Sequence, residues 1–271
     1  MRTAWIAGAL ALAGAGAAIG AGTAVVAEQP LPALDKLRIT PGYLETAQLP
    51  DSLIFIPPPP TEGSPSLARD HEAAQRGLAL RGTARWDLAT TDADLFTPKD
   101  TDALSCAAGF AIGPDTAPAT NRVLRRATMD FAMSTGAVKK KHQRARPFME
   151  NGQPTCTPAH ESFLRKDGSY PSGHSAVGYG WSLVLAELLP DRVAQLVARG
   201  RAFGDSRRIC NVHWQSDIEE GRIAASAAFA RLQSVPAFQE DLKAARAEIA
   251  AGNLPAPKRD CAKEAEALAM Q

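Results

Sequence analysis

The sequence predicts an all-α protein: a compact single-domain helical bundle around one core. Three observations point that way. Beyond Ser66, apolar residues recur at three- and four-residue intervals, the period of a helix with one buried face. Alanine, leucine, arginine and glutamate dominate that region, and neither long β-branched runs nor strand alternation interrupt it. Many alanines and glycines fall on the apolar faces, which lets helices approach closely, and no internal repeat divides the chain.

Residues 1–27 read as a secretory signal peptide. Arg2 gives a positive start, an Ala/Gly-rich apolar stretch begins at Ala4, and Val25-Val26-Ala27 offers a small residue for cleavage after Ala27. The stretch is also long enough for an uncleaved membrane anchor. Against that, alanine and glycine add little hydrophobicity and no polar stop-transfer cluster follows. No later stretch is apolar enough to span a bilayer, so the mature chain is expected to be exported and free of the membrane. Residues 28–65 are proline-rich, ending in Pro57-Pro58-Pro59-Pro60 and Gly63-Ser64-Pro65, and should be extended.

Residues 66–250 form the helical domain. Helices are expected over 67–81, 83–95 and 99–109. A fourth, over 118–135, carries Leu124, Ala127, Phe131 and Ser134 on one face. Residues 173–189 place Val177, Trp181, Val184, Leu185 and Leu188 at helical spacing; Pro190 ends that helix and Asp191 is positioned to cap the next. Residues 213–233 carry Trp214, Ile218, Gly221, Ala225, Ala228 and Leu232 at alternating intervals of four and three, and 236–250 form another amphipathic helix. The charged stretch 251–271 reads as a peripheral helix or a loose tail.

Composition excludes some function classes. Of 271 residues, 45% are hydrophobic and 22% charged, and the net charge is +1, so there is no chain-wide basic field for nucleic acid. The one basic cluster is Lys139-Lys140-Lys141 with Arg144 and Arg146, in which Lys140 and Lys141 read as a solvated face. The four cysteines, Cys106, Cys156, Cys210 and Cys261, lack metal-ligand spacing. In an exported chain they allow one or two disulfides in three full pairings, among which sequence does not choose; buried free thiols are the alternative. A bridge at Cys210 would help to fix the nearby His213.

Three short segments concentrate chemistry: Lys139–x6–Arg146–Pro147, Pro171-Ser172-Gly173-His174, and Ser206-Arg207–x5–His213–x3–Asp217. Phosphoryl transfer needs cations and backbone amides around three oxygens, an in-line nucleophile, and an acid for the leaving oxygen. Lys139, Arg146 and Arg207 offer the cations, and arginine's planar fork matches two phosphate oxygens. Ser172 and Gly173 sit where a loop enters a helix, whose first amides attract anions. A four-residue spacing puts His213 and Asp217 on one helix face, so Asp217 can hold one ring nitrogen and leave the other free to attack. His174 is then available to protonate the leaving group. Singly, each residue has a structural explanation: a satisfied histidine, a helix end before proline, an N-cap, a surface pair. Jointly, all three segments keep fixed spacing and order.

These segments resemble the three-part signature K-x6-R-P, P-S-G-H, S-R-x5-H-x3-D of the type 2 phosphatidic acid phosphatase and vanadium haloperoxidase superfamily. The flanking Gly82-Thr83-Ala84-Arg85-Trp86, Asp92-Ala93-Asp94-Leu95, Gly168-Ser169-Tyr170 and His213-Trp214-Gln215-Ser216-Asp217 narrow the likeness to bacterial class A non-specific acid phosphatases, from about Tyr43 to Gln233. The resemblance implies a compact helical domain, a periplasmic location, and metal-independent, cofactor-free hydrolysis of small phosphomonoesters with broad specificity. It implies His213 as the nucleophile, passing through a phosphohistidine, Asp217 as its orienting partner, and His174 as the acid and later the base. Lys139, Arg146, Ser172, Gly173 and Arg207 would bind the phosphoryl oxygens. Members commonly self-associate, so a homo-oligomer is open to this chain. Two other readings share the site: a vanadate-dependent haloperoxidase-like oxidase, which would normally be a much longer chain, and a non-catalytic phosphate-binding protein, which would need no His213–Asp217 pair.

Overall fold

The structure is a computed structural model that describes residues 40–95, 97 and 100–270. The signal-peptide expectation for 1–27, and the start of the proline-rich segment, lie outside the described residues. Among the described residues there is no strand, and no helix is long and apolar enough to cross a membrane. The fold is all-α, as its helical periodicity indicated.

Thirteen α-helices run in chain order among the described residues. They are α1 (Ser52–Phe55), α2 (Pro65–Ala79), α3 (Ala84–Thr91), α4 (Ser105–Ala108), α5 (Pro118–Met133), α6 (Gly136–His142), α7 (Pro147–Asn151), α8 (Glu161–Leu164), α9 (Gly173–Leu188), α10 (Val193–Ile209), α11 (Gln215–Leu232), α12 (Pro236–Ala250) and α13 (Cys261–Leu268). Proline opens α2, α5, α7 and α12, where its missing N–H costs nothing. Asp191 does not cap α10. Pro190–Arg192 forms a 3-10 turn, so α10 begins at Val193 with Arg192 as its N-cap.

Helix α9 is the centre, packed by α10, α11 and α5, with α12 laid against α5. Its apolar face, Val177, Trp181, Val184 and Leu185, is fully buried with Phe131, Phe203, Leu232 and Phe238. Burying each such side chain contributes roughly 1.5–3 kcal/mol. Trp181 keeps its polar edge satisfied by donating from Nε1 to the Leu124 carbonyl (3.1 Å) and Thr128 Oγ1 (3.0 Å). Gly178 is required by packing, because a Cβ there would collide with the Phe203 ring of α10.

The entry segment differs from a plain extended stretch. A 3-10 turn at Thr46–Gln48 and α1 interrupt it, because the Asp51 carboxylate accepts from Leu53 N (3.0 Å) and starts a helical turn. The segment is strapped to the bundle. Asp130 of α5 accepts from the Tyr43 and Leu44 amides, and Tyr170 donates to the Pro57 carbonyl (2.8 Å).

The C-terminal stretch is a docked helix, not a loose tail. A disulfide joins Cys261 to Cys106, and Glu264 accepts from Arg199 Nε of α10 (3.2 Å). The second disulfide joins Cys156 to Cys210.

Candidate active site

The three segments converge at one end of α9. Lys139 comes from α6, Arg146 stands just before α7, and Ser172 caps α9, with Gly173 and His174 as its first residues. Arg207 lies near the end of α10, and Asp217 lies in the first turn of α11. His174, His213, Lys139, Arg146 and Gly173 line one cavity of about 370 Å³.

His213 is placed differently from the expected helix face. It precedes α11, in the turn that leaves α10, because Asn211 takes a left-handed conformation (φ 61°) and Trp214 is the helix N-cap. The pair forms all the same. Asp217 Oδ2 accepts from Trp214 N (2.8 Å), closing the helix end, and lies 3.2 Å from His213 Nδ1. The turn is clamped by the Cys156–Cys210 disulfide and by reciprocal amide bonds between Asn151 and Asn211 (2.9 and 3.1 Å).

Hydrogen-bond logic assigns the His213 protons. Arg146 Nη1 lies 3.1 Å from His213 Nε2, and a guanidinium only donates. Nε2 therefore presents its lone pair, and the ring proton sits on Nδ1 toward Asp217. Burial, then Arg146, Lys139 and Arg207, push His213 well below the ordinary histidine range, which keeps Nε2 unprotonated. The same logic fixes His174. Its Nε2 lies 3.1 Å from the Ala93 carbonyl, which only accepts, so Nε2 carries the proton and Nδ1 is the nitrogen that titrates. Burial and Arg207 push this histidine well down too.

The cations are partly occupied by protein. Arg146 also donates to the carbonyls of Leu164 (2.9 Å) and Val212 (3.0 Å) and to Asp167 Oδ2 (3.1 Å). Lys139 donates to the Gly168 carbonyl, and burial beside Arg146 lowers it to about 8. Arg207 is different: its Nε and Nη1 are buried with no hydrogen-bond partner, and burial with Arg146 nearby lowers it to about 9. Buried, unmatched guanidinium donors are costly unless an anion takes them. The α9 N-terminus adds amides beside them. Ser172 Oγ is used as the N-cap, accepting from Ser175 N (3.2 Å), and Ser172 N donates to the Asp217 carbonyl (2.9 Å). A Cβ on Gly173 would meet nothing nearer than Thr135 Oγ1 at 3.7 Å, so the space above it is open.

Comparison with known proteins places the chain in a family. The PAP2 superfamily profile matches residues 127–239. The non-specific acid phosphatase of Salmonella typhimurium is 42% identical over 200 residues, covering 73% of this chain and 80% of that protein. The non-specific acid phosphatase of Providencia stuartii is 41% identical over 209 residues, 77% of this chain and 84% of that protein. The acid phosphatase of Zymomonas mobilis is 40% identical over 199 residues, 73% and 75%. The chain belongs to the acid phosphatases of the PAP2 superfamily.

Behind the cage, the phosphatase holds residues for which its sequence suggested no site role. Arg144 donates from Nη1 to Asp217 Oδ1 (2.8 Å) and Ser216 Oγ (2.8 Å), and from Nη2 to Asp70 Oδ2 (2.8 Å). Asp70, on α2, also accepts from Ser216 N and Oγ (2.8 and 2.6 Å). On the other side, Asp92 pairs with Arg199 (2.6 Å) and accepts from Ser206 Oγ (2.7 Å), next to the Ala93 carbonyl that holds His174. Arg144 had read as part of a basic run. Its only sequence signal is its place two residues before Arg146, and Asp70 offers none.

Proposed function

We propose that this phosphatase hydrolyses phosphate monoesters by two displacements at His213, in an exported, metal-independent reaction. In the first, the His213 Nε2 lone pair attacks phosphorus and the bond to the ester oxygen breaks. His174, neutral in the free protein but taking up a second proton at Nδ1 when the anionic phosphate lies beside it, gives that proton to the ester oxygen, releasing the alcohol, while Nε2–H stays on Ala93. The positive charge left on His213 is stabilised by Asp217. In the second, water attacks phosphorus and gives a proton back to His174 Nδ1. The N–P bond breaks, its electron pair returns to Nε2, and phosphate leaves. Lys139, Arg146, Arg207 and the Gly173 amide would hold the three phosphoryl oxygens, giving the charge stabilisation that phosphoryl transfer demands.

The observation that carries this reading is the His213 ring held on both sides: Asp217 at Nδ1 and a guanidinium at Nε2, where a phosphate would sit. Export is supported by the residue 1–27 pattern and by two disulfides, which persist in oxidising compartments.

The test is rapid quench of the mature protein with a radiolabelled ester. Alkali-stable, acid-labile label on the protein is expected, absent from His213→Ala, with turnover unchanged by EDTA. Label or turnover persisting in His213→Ala overturns the nucleophile; loss of turnover with EDTA overturns metal independence.

A further inference from the structure

The cavity that holds the two histidines opens through a wall unlike its floor. The floor is cationic, whereas the wall is built mainly from Leu95, Met129, Ala132, Met133, Phe163 and Leu164, with Thr40, Thr128 and Thr135 among them; the Thr128 and Thr135 hydroxyls are spent on the Leu124 and Ala132 carbonyls. Met129 and Met133 stand four apart on α5 and so share a face at its C-terminal end, and Phe163 and Leu164 belong to α8. Among the described residues, Met133 and Phe163 are two of the few large apolar side chains left exposed, at 43% and 53%. Exposed apolar groups are ordinary singly, but here two of them line the same cavity. The charged groups on this wall offer little to a sugar or an inositol. Arg125 is paired with Asp100 (2.6 Å), and Asp167 with Arg146 (3.1 Å).

A phosphoryl group seated on Lys139, Arg146 and Gly173 would share this cavity with the apolar wall, so the alcohol carried by its ester oxygen would meet that wall. We infer that the wall is a leaving-group subsite selecting phosphomonoesters of apolar alcohols and phenols over esters of polyhydroxylated alcohols. The inference rests on the hydrolytic reading above and adds to it the class of alcohol released. Two methionines are suited to the task. Their unbranched, polarisable side chains repack around different apolar shapes, which gives selectivity for apolar character without selectivity for one molecule.

The experiment is a homologous series of straight-chain alkyl phosphates from ethyl to hexyl, in which the leaving-group chemistry is nearly constant and apolar length alone changes. In the native protein, kcat/KM should rise at least about tenfold from ethyl to hexyl phosphate, since each buried methylene contributes to binding. Glycerol phosphate and glucose 6-phosphate should fall at or below ethyl phosphate. In Met133→Ser and Phe163→Ser, both rim positions that the core does not depend on, the hexyl-to-ethyl ratio should fall toward one. A flat series with ethyl phosphate still hydrolysed overturns the subsite and leaves the phosphatase chemistry standing. A ratio unchanged in both serine variants overturns the assignment of the wall. Absence of hydrolysis throughout the series overturns the hydrolytic reading, and the subsite with it.

Discussion

Arg144 donates to Asp217 through a 2.8 Å bond from Nη1 to Oδ1, the carboxylate oxygen that His213 does not use. Burial pushes the Asp217 carboxyl up, and Arg144 is the foremost influence that opposes it. Arg144→Met should therefore let Asp217 take a proton at higher pH, and a neutral Asp217 no longer stabilises a charged His213. We expect kcat to fall about 10–100-fold, the range for removing partners behind an oriented imidazole. The loss should grow as pH falls, so a kcat–pH profile separates this from simple loosening, which would lower activity evenly. Arg144→Lys should recover part of the activity.

Gly173 and Gly221 should respond in opposite ways to alanine. A Cβ at Gly173 enters open space beside the anion seat, whereas at Gly221 it would collide with the Ser172 carbonyl oxygen. Gly173→Ala should keep or slightly raise Tm, since alanine favours a helix by roughly 0.5–1 kcal/mol, while kcat/KM drops at least about tenfold. Gly221→Ala should lower Tm. Thermal melts beside steady-state assays distinguish the two.

Both site histidines are held neutral in the free protein, so acid should weaken the fold. A buried histidine whose folded pKa lies below its unfolded value of about 6.5 gives its full contribution above that pH, and loses it as pH falls toward the folded value. Tm in phosphate-free buffer should fall below about pH 6.5. Inorganic phosphate, which favours charged His174, should raise Tm more at pH 5 than at pH 8. On the alkaline side, Lys139, lowered to about 8, loses its charge, and KM should rise above that pH.

The two disulfides should fail differently. They span 155 and 54 residues, and chain-entropy estimates give each about 4–5 kcal/mol taken alone. Cys106→Ser/Cys261→Ser should lower Tm with a smaller effect on kcat. Cys156→Ser/Cys210→Ser loosens the turn that carries His213 and should lower both. Melts and turnover on the two double variants check this.

The helical class, the helix over 173–189 and the three segments that meet at its end were legible because each leaves a local mark: a 3.6-residue apolar period, a proline or an N-cap, a fixed spacing. His213 and Asp217 met as their spacing suggested, although the turn at Asn211 keeps His213 off the helix. What was not legible depends on long-range burial. Arg144 looks like its neighbours Lys140 and Lys141 in sequence, and only the fold turns it inward onto Asp70, 74 residues away. The short α6, α7 and α8 carry too few turns for a periodic signal, and the pairing of Cys106 with Cys261 depends on where the chain returns, not on spacing. The C-terminal stretch read as either a peripheral helix or a loose tail, because its charge pattern hides Glu264, whose partner, Arg199, comes from α10.

That last helix also sets an order of completion. Glu264 braces Arg199, Arg199 holds Asp92, and Asp92 precedes the carbonyl that positions His174. A chain still being made possesses His213 and Asp217 well before it possesses Glu264 or the thiol that closes onto Cys106. The candidate site is therefore complete in sequence before it is complete in structure, and a product terminated before Cys261 would carry every proposed site residue without that brace.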